Sequence, residues 1–311
     1  MNVDLLIGND PRTDAAVSVL RSKAELRAAL APARRQGQRI GLVPTMGFLH
    51  EGHLSLLRAA RAECDVVVMS LFVNPTQFGP GEDLDRYPRD EERDLALAAA
   101  AGADLVYAPA VGEVYPDDFS TYVEVTGQLT GVLDGDPARR GAGHFRGVTT
   151  VVAKLFNSVG PDVAYFGQKD AQQAAVIRRM VRDLDFPLRI EVLPTVREDD
   201  GLALSSRNAY LDPADRERAV AISRALAAVE REALAGSLAA GLAAGRRILA
   251  EAGIEPEYLE ARDAESLDLV EELGARPVLV AVAAPVGAAR LIDNVLIDPT
   301  ASPGAVPNHS D

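Results

Sequence analysis

The sequence predicts an α/β protein with a Rossmann-like parallel sheet in its N-terminal domain and a smaller α+β domain at its C-terminal end. Three observations predict this fold. Short apolar runs alternate with amphipathic helical runs as far as about residue 195, and the order of elements changes after that position. A chain of 311 residues is also long for a single hydrophobic core.

Strands and helices alternate regularly in the N-terminal part. The strand-like runs are short and continuously apolar, at residues 40–44, 66–72, 105–108, 163–166 and 188–193. The helical runs have apolar residues three or four positions apart, at residues 24–35, 53–63, 90–101, 148–159 and 172–184. Strands that are apolar on both faces are typical of a parallel sheet with helices packed on each side.

The C-terminal part has a different pattern. Its elements are a long alanine-rich helical stretch and two strand-like runs, at residues 213–252, 277–284 and 289–297. We therefore place the domains at residues 1–195 and 196–297. Residues 1–15 are expected to be a loose end. Residues 298–311, which are rich in proline, serine, glycine and asparagine, are expected to be a flexible tail.

Charge and composition exclude several classes of protein. The formal net charge of -14 disfavours nonspecific binding to nucleic acid and adsorption to membranes, so a site for an anion has to be built locally. No apolar run of the sequence is long enough to span a bilayer, and we expect no secretory signal. The single cysteine, Cys64, rules out an intrachain disulfide framework and fits a reducing cytoplasm.

The most informative motif is His50-Glu51-Gly52-His53, which lies between the first predicted strand and the helix after it. His53 is expected at a helix N-terminus, where free backbone N–H groups and the helix dipole favour an anion. Two neutral imidazoles there can each donate an N–H to a phosphate oxygen and stabilise charge that develops on phosphorus. Two alternatives stay open at this point: a zinc-binding pair, for which no further ligands stand nearby in the sequence, and ordinary helix-capping residues.

Polar side chains follow four of the five predicted strands. They are His50 and His53 after the first strand, residues 74–78 after the second, residues 167–173 after the fourth and residues 204–208 after the fifth. Because the carboxyl ends of parallel strands meet at one edge of a sheet, we expect these clusters to form one composite ligand site.

Several side chains in these clusters suit phosphate groups and small polar substrates. Lys169 follows a glycine turn at a helix start and can reach a phosphate as a point charge. The Ser-Ser-Arg run at 205–207 offers two hydroxyls and a guanidinium, which suit a triphosphate across a cleft. Gln77 and Gln173 can hold a hydroxyl or a carboxylate. Taken singly, each of these residues can equally be a solvated side chain or a helix cap.

Seven short motifs are spread over about residues 18–295. They are Pro-Thr-Met-Gly at 44–47, His-Glu-Gly-His at 50–53, Phe-Val-Asn-Pro-Thr-Gln-Phe at 72–78, Asp-Arg-Tyr-Pro-Arg at 85–89, Gly-His-Phe-Arg-Gly-Val at 143–148, Phe-Gly-Gln-Lys-Asp at 166–170 and Ser-Ser-Arg-Asn at 205–208. In this order the chain resembles the pantothenate synthetase family, the pantoate:β-alanine ligases. The second motif alone points only to the wider nucleotidyltransferase superfamily, to which the class I aminoacyl-tRNA synthetases also belong.

The resemblance implies a two-step ligation. ATP and pantoate form pantoyl adenylate and pyrophosphate, and the amine of β-alanine then attacks the acyl carbon, which releases AMP and pantothenate. This chemistry requires stabilised phosphate charge and alignment, and no enzyme nucleophile. The family also implies a homodimer that associates through the N-terminal domain, and Mg2+ that arrives mainly with ATP. A nucleotidyltransferase that leaves AMP on its product and a nucleotide-binding protein without turnover are the competing functions.

The resemblance also assigns roles to residues. The catalytic contacts to the ATP phosphates are assigned to His50, His53, Lys169, Ser205, Ser206 and Arg207. The rest of the nucleotide pocket is assigned to Met46, Gly47, Gly167 and Asp170, with Asp170 on the ribose side. Pantoate is assigned to Gln77 and Gln173, with Met46 packed beside it. Asp94 matches a position near the family's magnesium, although Arg93 precedes it where an acidic residue can occur.

Two further features concern the surroundings of the site. Gln168 stands where the family often has glutamate, a neutral replacement that keeps hydrogen bonding and removes one charge. Residues 79–83 (Gly-Pro-Gly-Glu-Asp) have glycines on both sides of a proline, which allows a hinge. We expect this segment to be a lid that shields the acyl adenylate from water, with a plain surface loop as the alternative.

Overall fold

The structure is a computed structural model, and it describes residues 17–300. The predicted loose end at residues 1–15 and residues 301–311 of the predicted tail lie outside the described residues. None of the helices in the described range has the length and apolar character that a membrane span requires.

A six-stranded parallel sheet forms the centre of the N-terminal part, with strand order β1-β4-β3-β2-β5-β6. The strands are β1 (Ser18–Leu20), β2 (Ile40–Thr45), β3 (Val66–Leu71), β4 (Leu105–Tyr107), β5 (Val163–Gly167) and β6 (Arg189–Leu193). All five predicted strands are present, each within one residue of its predicted ends. The sequence analysis missed β1, because three residues at a sheet edge are too few to show a periodic pattern.

Helices cover this sheet on both faces. They are α1 (Lys23–Arg35), α2 (Glu51–Glu63), α3 (Glu91–Ala100), the short α4 (Val111–Val114), α5 (Ala142–Val159) and α6 (Ala171–Asp183). The start of α1 is a capping box, in which the Ser22 hydroxyl accepts the Glu25 N–H and the Glu25 carboxylate accepts the Ser22 N–H. Helix α5 begins before the predicted residue 148. Two glycines lower the helix propensity of its first residues, so the sequence pattern does not mark them as helical, and packing in the folded protein keeps them in the helix.

The order of the strands creates a crevice at one edge of the sheet. Helices α1, α5 and α6 pack on one face, and α2 and α3 pack on the other, as the continuously apolar strands predicted. From β2 the chain adds β3 and then β4 in one direction, and it later returns to add β5 and β6 on the opposite side of β2. The carboxyl ends of β2 and β5 therefore border the place where strand order reverses, which is where ligands bind in such sheets.

The C-terminal part confirms the predicted α+β character, with α7 (Pro213–Leu234) and α8 (Leu238–Glu251) on an antiparallel sheet. Its strands, in the order β7-β8-β9, are β7 (Tyr258–Asp263), β8 (Val278–Val286) and β9 (Ala289–Ile297). The helical stretch predicted over 213–252 is present as two helices with a break between them. Gly236 adopts a φ of 112° and the Ser237 hydroxyl caps α8, so the helix breaks there. The sequence analysis missed β7 because charged residues interrupt its apolar pattern.

An apolar cluster with a buried ion pair joins the two parts. Phe145 and Val176 of the N-terminal part belong to the same core cluster as Tyr258 of β7. The buried carboxylate of Asp134 accepts hydrogen bonds from the Tyr258 hydroxyl at 2.8 Å and from Arg290 at 2.8 Å. These contacts hold the C-terminal sheet beside the carboxyl edge of the parallel sheet, where it closes one side of the crevice.

A close backbone contact fixes the polar turn that follows β3. A Cβ atom at Gly147 of α5 would lie 2.3 Å from the carbonyl oxygen of Thr76. The carbonyl oxygen of Gly147 also accepts a hydrogen bond from Asn74 Nδ2 at 3.1 Å. Glycine at this position therefore lets α5 approach the 3-10 helix Pro75–Gln77 and sets the position of Gln77.

We expect Gly147→Ala to lower the free energy of unfolding by about 2 kcal/mol, because its methyl group would overpack a backbone contact. Gly143→Ala in the same helix is the matched control, since no atom of the described residues lies within 4 Å of its added Cβ. The control should gain up to about 1 kcal/mol from helix propensity. Urea unfolding followed by circular dichroism measures both variants, and equal stabilities would contradict the expectation.

Candidate active site

A cavity of about 450 Å3 lies at the reversal of strand order, with walls from both parts of the chain. The predicted site residues that line it are Met46, His50, His53, Gln77, Gly167, Lys169, Asp170, Gln173, Ser205, Ser206 and Arg207. Two predicted site residues, Gly47 and Asp94, are not among the lining residues. The structure thus brings the four polar clusters of the sequence into one cavity.

The two histidines of the motif stack at the start of α2. The centroids of the His50 and His53 rings are 4.1 Å apart. The His50 backbone N–H donates to His53 Nδ1 at 3.3 Å, so the neutral His53 ring carries its proton on Nε2. His50 Nδ1 is buried and has no hydrogen-bond partner among residues 17–300. A Cβ at Gly52 would lie 3.0 Å from the His50 ring, which explains the glycine in the motif.

Burial keeps both imidazoles neutral. Burial, together with the positive charge of Lys169, lowers the pKa of His50 to about 4, with Asp170 opposing the shift and Arg93 adding to it. Burial also lowers the pKa of His53 well below its usual value, with smaller contributions from His50 and Lys169. At neutral pH each ring therefore has one N–H donor, as the sequence analysis assumed for phosphate binding.

Asp94 binds the turn that precedes the histidine motif. Its carboxylate accepts hydrogen bonds from the backbone N–H groups of Phe48 and Leu49, both at 2.7 Å, and only 1% of its surface is exposed. These bonds hold a turn in which Gly47 and Phe48 have φ values of 85° and 52°. Successive N–H groups in such a turn form a concave anion site, and Asp94 fills it.

Asp94 is poorly placed for a magnesium ligand, because its side chain is buried, does not line the cavity and accepts a backbone N–H at each oxygen. Burial raises the pKa of this carboxyl group, although the two backbone donors counteract the rise. Within residues 17–300, no group of three or more His, Cys, Asp or Glu side chains is arranged to hold a metal ion. Gly47 and Asp94 thus lie behind the wall of the cavity, where they shape the turn.

The amide of Gln77 is oriented by a chain of hydrogen bonds. Asn74 Oδ1 accepts from the Tyr115 hydroxyl at 2.8 Å and from the Thr76 hydroxyl at 2.9 Å. The Nδ2 group of Asn74 therefore donates to Gln77 Oε1 at 3.1 Å. The remaining Nε2 group of Gln77 points to the sulfur of Met46 at 3.1 Å, on the cavity side. Gln77 consequently presents a donor to the cavity.

The backbone of Gln77 is held as firmly as its side chain. His144 Nδ1 donates to the Gln77 carbonyl oxygen at 2.8 Å, and His144 Nε2 accepts from Arg140 at 3.1 Å. Burial and the neighbouring Arg140 together lower the pKa of His144 to about 4, although the hydrogen bond to the Gln77 carbonyl oxygen opposes the shift. The ring is therefore neutral, with its proton on Nδ1.

The two adjacent glutamines at the start of α6 have different roles. Gln172 Oε1 accepts the Asp134 N–H at 3.0 Å, and its Nε2 donates to the carbonyl oxygens of Leu129 at 2.9 Å and Val132 at 2.7 Å. These bonds tie the segment at 129–134 to α6. Both glutamines line the cavity, and because the Gln172 amide is engaged in these bonds, Gln173 is the one of the pair left for a ligand.

The 205–207 run and Lys169 bring hydroxyl and cationic groups to the cavity. Ser205 caps a 3-10 helix (Ser206–Tyr210) by accepting the Arg207 N–H at 3.3 Å, and the Ser206 hydroxyl lies 3.1 Å from the Tyr87 hydroxyl. Lys169 reaches the cavity from the β5 side, with its ammonium 3.7 Å from Asp170 Oδ1. The site therefore has donors from the end of β5 and from the 205–207 run.

The segment predicted to be a lid is ion-paired to both sides of the cavity. Glu82 accepts from Arg140, with Nη2 at 2.6 Å from Oε2. Asp83 accepts two hydrogen bonds from Arg207, both at 2.9 Å. Gly81 has a φ of 83°, a conformation that glycine adopts without strain. Residues 79–83 thus lie against the site, held by carboxylates at one end.

The acidic chain builds its cationic site locally, as its net charge of -14 led us to expect. Arg140 and Arg207 face the cavity and are paired with Glu82 and Asp83 of the lid segment. These carboxylates balance the arginines and also tie the segment to two different walls. A phosphate group accepts hydrogen bonds from a guanidinium group as a carboxylate does. A bound phosphate and the lid carboxylates would therefore compete for the same two arginines.

The family model described as pantoate-beta-alanine ligase matches residues 18–296. The chain belongs to the pantoate–β-alanine ligase family. The pantothenate synthetase of Moorella thermoacetica is 56% identical over 285 residues, which cover 91% of this chain and 99% of that protein. The family and the ligase class of enzyme that the sequence predicted are therefore confirmed.

Solved structures of the ligase family have the same fold. The crystal structure of pantothenate synthetase from Thermus thermophilus is 49% identical, with a TM-score of 0.85, over 91% of this chain and 100% of that chain. The pantoate-beta-alanine ligase from Francisella tularensis, complexed with beta-gamma ATP and beta-alanine, is 33% identical with a TM-score of 0.75, over 90% of this chain and 98% of that chain. The predicted fold class is confirmed.

Sequence reasoning did not single out four cavity residues of this ligase. Asn74 and His144 stand in motifs that the sequence analysis quoted, and only the tertiary structure reveals what their side chains contact. Arg140 stands in no motif, and its position at the cavity depends on the ion pair with Glu82. Thr195, directly after β6, lines the cavity with a buried hydroxyl that has no hydrogen-bond partner among residues 17–300.

The lowered pKa values of His50 and His144 predict acid sensitivity of the ligase fold. Between about pH 4 and 6.5 the unfolded chain binds protons that the folded chain does not, so the free energy of unfolding falls as pH decreases through this window. The loss is on the order of 2 kcal/mol per histidine. Urea unfolding from pH 7 to 4 measures it.

His144→Asn isolates one histidine, because its side-chain N–H can still bond to the Gln77 carbonyl oxygen. The variant should lose less stability over the same pH window than the unmodified protein. Identical pH profiles of the two proteins would contradict the prediction.

Proposed function

We propose that the protein joins pantoate to β-alanine at the expense of ATP, through a pantoyl-adenylate intermediate, with release of AMP and pyrophosphate. The observation that supports this most is a single cavity lined by the histidine motif, Lys169, the 205–207 run and two glutamines. The Francisella tularensis relative, complexed with beta-gamma ATP and beta-alanine, supports the same choice of substrates.

Adenylation requires stabilised charge at the phosphates. A pantoate carboxylate oxygen attacks the α-phosphorus, and the bond to the β-phosphate breaks with its electron pair on pyrophosphate. His53 donates from Nε2 and His50 from its own N–H, and Lys169 adds a positive charge. Neutral donors that burial has already oriented need no reorganisation as charge develops. No side chain has to act as a nucleophile.

The wall opposite the histidines is proposed to hold the leaving pyrophosphate. Ser205 and Ser206 supply hydroxyl donors, and Arg207 supplies a planar guanidinium that fits phosphate oxygens. Arg207 is paired with Asp83, so a phosphate that binds this guanidinium competes with a carboxylate of the lid segment. Triphosphate binding and the position of residues 79–83 are therefore coupled in this proposal.

The remaining pocket residues are proposed to bind pantoate and the nucleoside. Gln77 donates from Nε2, which the hydrogen bond to Asn74 directs to the cavity, and Gln173 lines the same cavity. Met46 contacts Gln77 and forms apolar surface beside pantoate. These neutral groups suit the hydroxyls and carboxylate of a small acid. The nucleoside is assigned to Met46, Gly167 and Asp170, with Gly47 shaping the turn behind them.

The second half-reaction needs access for an amine and exclusion of water. The neutral amine nitrogen of β-alanine bonds to the acyl carbon, AMP leaves with the electron pair of the broken acyl–oxygen bond, and the nitrogen loses one proton to solvent. Residues 79–83 are proposed to cover the adenylate during this step, held by Glu82 and Asp83. A covered adenylate is protected from hydrolysis.

The proposal also covers the magnesium ion, the oligomeric state and the cellular location of the protein. Asp94 does not fit a magnesium ligand, because it is buried outside the cavity lining and its oxygens accept backbone N–H groups, and no step is assigned to a metal. Mg2+ is proposed to enter with ATP. A homodimer formed through the N-terminal part and a cytoplasmic location are also proposed, the latter supported by a single buried thiol, Cys64.

The experiment that tests this function is pantoate-dependent exchange of labelled pyrophosphate into ATP, with Mg2+ present and β-alanine absent. The adenylation half-reaction is reversible, so exchange is expected, and it should require pantoate. Addition of β-alanine should then release free AMP. Exchange that does not need pantoate, or AMP that stays attached to the product, would contradict the proposal and favour simple nucleotidyl transfer.

We expect His50→Ala and Lys169→Ala each to lower the exchange rate by at least about 100-fold, because each removes a preorganised donor. Both variants should fold, since neither side chain anchors the core. Glu51→Ala is the control in the same motif, because Glu51 is exposed and pairs with Arg58 on the surface of α2. Normal exchange by the His50 or Lys169 variant would overturn the site assignment.

A further inference from the structure

Strand β9 of the C-terminal part binds the backbone on which Lys169 stands. The Nδ2 group of Asn294 donates to the carbonyl oxygens of Gln168 and Lys169, both at 2.9 Å. Asn294 Oδ1 accepts from Gln168 Nε2 at 3.1 Å. The side chain is 5% exposed. All of these amide contacts therefore go to a single turn of the N-terminal part.

Asn294 is itself held rigidly. The adjacent Asp293 is buried and accepts two hydrogen bonds from Arg197, at 2.6 and 2.9 Å. Its Oδ1 also accepts the Asn294 N–H at 2.8 Å. Arg197 lies in the segment that follows β6, and it donates to the Gly201 carbonyl oxygen at 3.1 Å. Asn294 is thus anchored to the segment that connects the two parts. If the Lys169 turn moved, these bonds would restrict Asn294 from moving with it.

The hydrogen bonds from Asn294 influence where the ammonium group of Lys169 lies. Lys169 occupies the short 3-10 turn Gln168–Asp170 between β5 and α6. Two consecutive carbonyl groups bound to β9 fix the orientation of that turn, and the Lys169 side chain leaves it on the cavity side. A misplacement of about 1 Å in a catalytic group can lower a rate by about 100-fold.

We propose that Asn294 is a positioning residue for adenylation, which aims Lys169 into the cavity by binding its backbone. The rate of the first half-reaction then depends on how the C-terminal part sits against the parallel sheet. This inference rests on the proposed role of Lys169. A purely structural role, in which the amide only satisfies two buried carbonyl groups, predicts a change in stability and no specific link to Lys169.

Asn294→Asp tests the proposal, because it keeps the shape of the side chain and removes both Nδ2 donors. The variant should lower the pantoate-dependent exchange rate by at least about ten-fold, with the KM for pantoate within about two-fold, since Gln77 and Gln173 are untouched. Gln168→Ala is the matched control. It removes only the donor to Asn294 Oδ1 and leaves the two backbone carbonyl groups that Nδ2 binds, so its rate should stay within about three-fold of the unmodified protein.

A double-variant cycle separates positioning from structure. In a Lys169→Ala background, Asn294→Asp should cause no further loss of exchange, because the side chain that it aims is already gone. An additional loss of the same size as in the unmodified protein, or unchanged exchange in the single variant, would overturn the proposal. Exchange that is unaffected by Lys169→Ala itself would instead refute the proposed function of the site.

A second variant keeps the test possible if Asn294→Asp does not fold. Thermal unfolding checks each variant, and Asn294→Ser removes the same donors without introducing a charge. If the aspartate variant does not fold, the serine variant is measured in the same two backgrounds with the same expected result. Failure of both variants to fold would assign Asn294 to the fold and overturn the positioning role.

Discussion

The pairing of β2 with β5 is the interaction on which the site depends. Within residues 17–300 it is the hydrogen-bonded link between the two halves of the parallel sheet. Parallel neighbours end at the same edge, so this pairing puts the start of α2, with His50 and His53, beside the start of α6, which follows Lys169. Gly41 of β2 lies in this pair, and a Cβ there would be 2.9 Å from Cys64 Sγ. The centre of the sheet therefore tolerates little change.

Buried polar groups behind the cavity wall orient the groups that face it. Asp94 holds the turn before the histidines, Asn74 directs the amide of Gln77, and His144 holds the Gln77 backbone. Burying such groups is costly unless every hydrogen bond is made, and here most of their polar atoms have protein partners. The result is a set of donors that are oriented before any ligand arrives, which is what charge stabilisation requires.

The sequence by itself determined the family, the fold class and the meeting of most predicted site residues at one cavity. Strand and helix periods are local properties, and polar residues at the carboxyl ends of parallel strands have to meet. Eleven of the predicted site residues line one cavity for this reason. The short edge strand β1 and the break at Gly236 escaped prediction, because neither leaves a periodic signal long enough to read.

Tertiary structure alone decided which polar residues face a ligand and which support the site. The resemblance placed Asp94 near magnesium, and the fold turns both of its oxygens to backbone groups 45 and 46 positions away along the chain. The link between Asn294 and the Lys169 turn spans 125 positions and joins the antiparallel sheet to the edge of the parallel sheet. Such contacts follow from the packing of distant segments, whose geometry no local pattern of residues records.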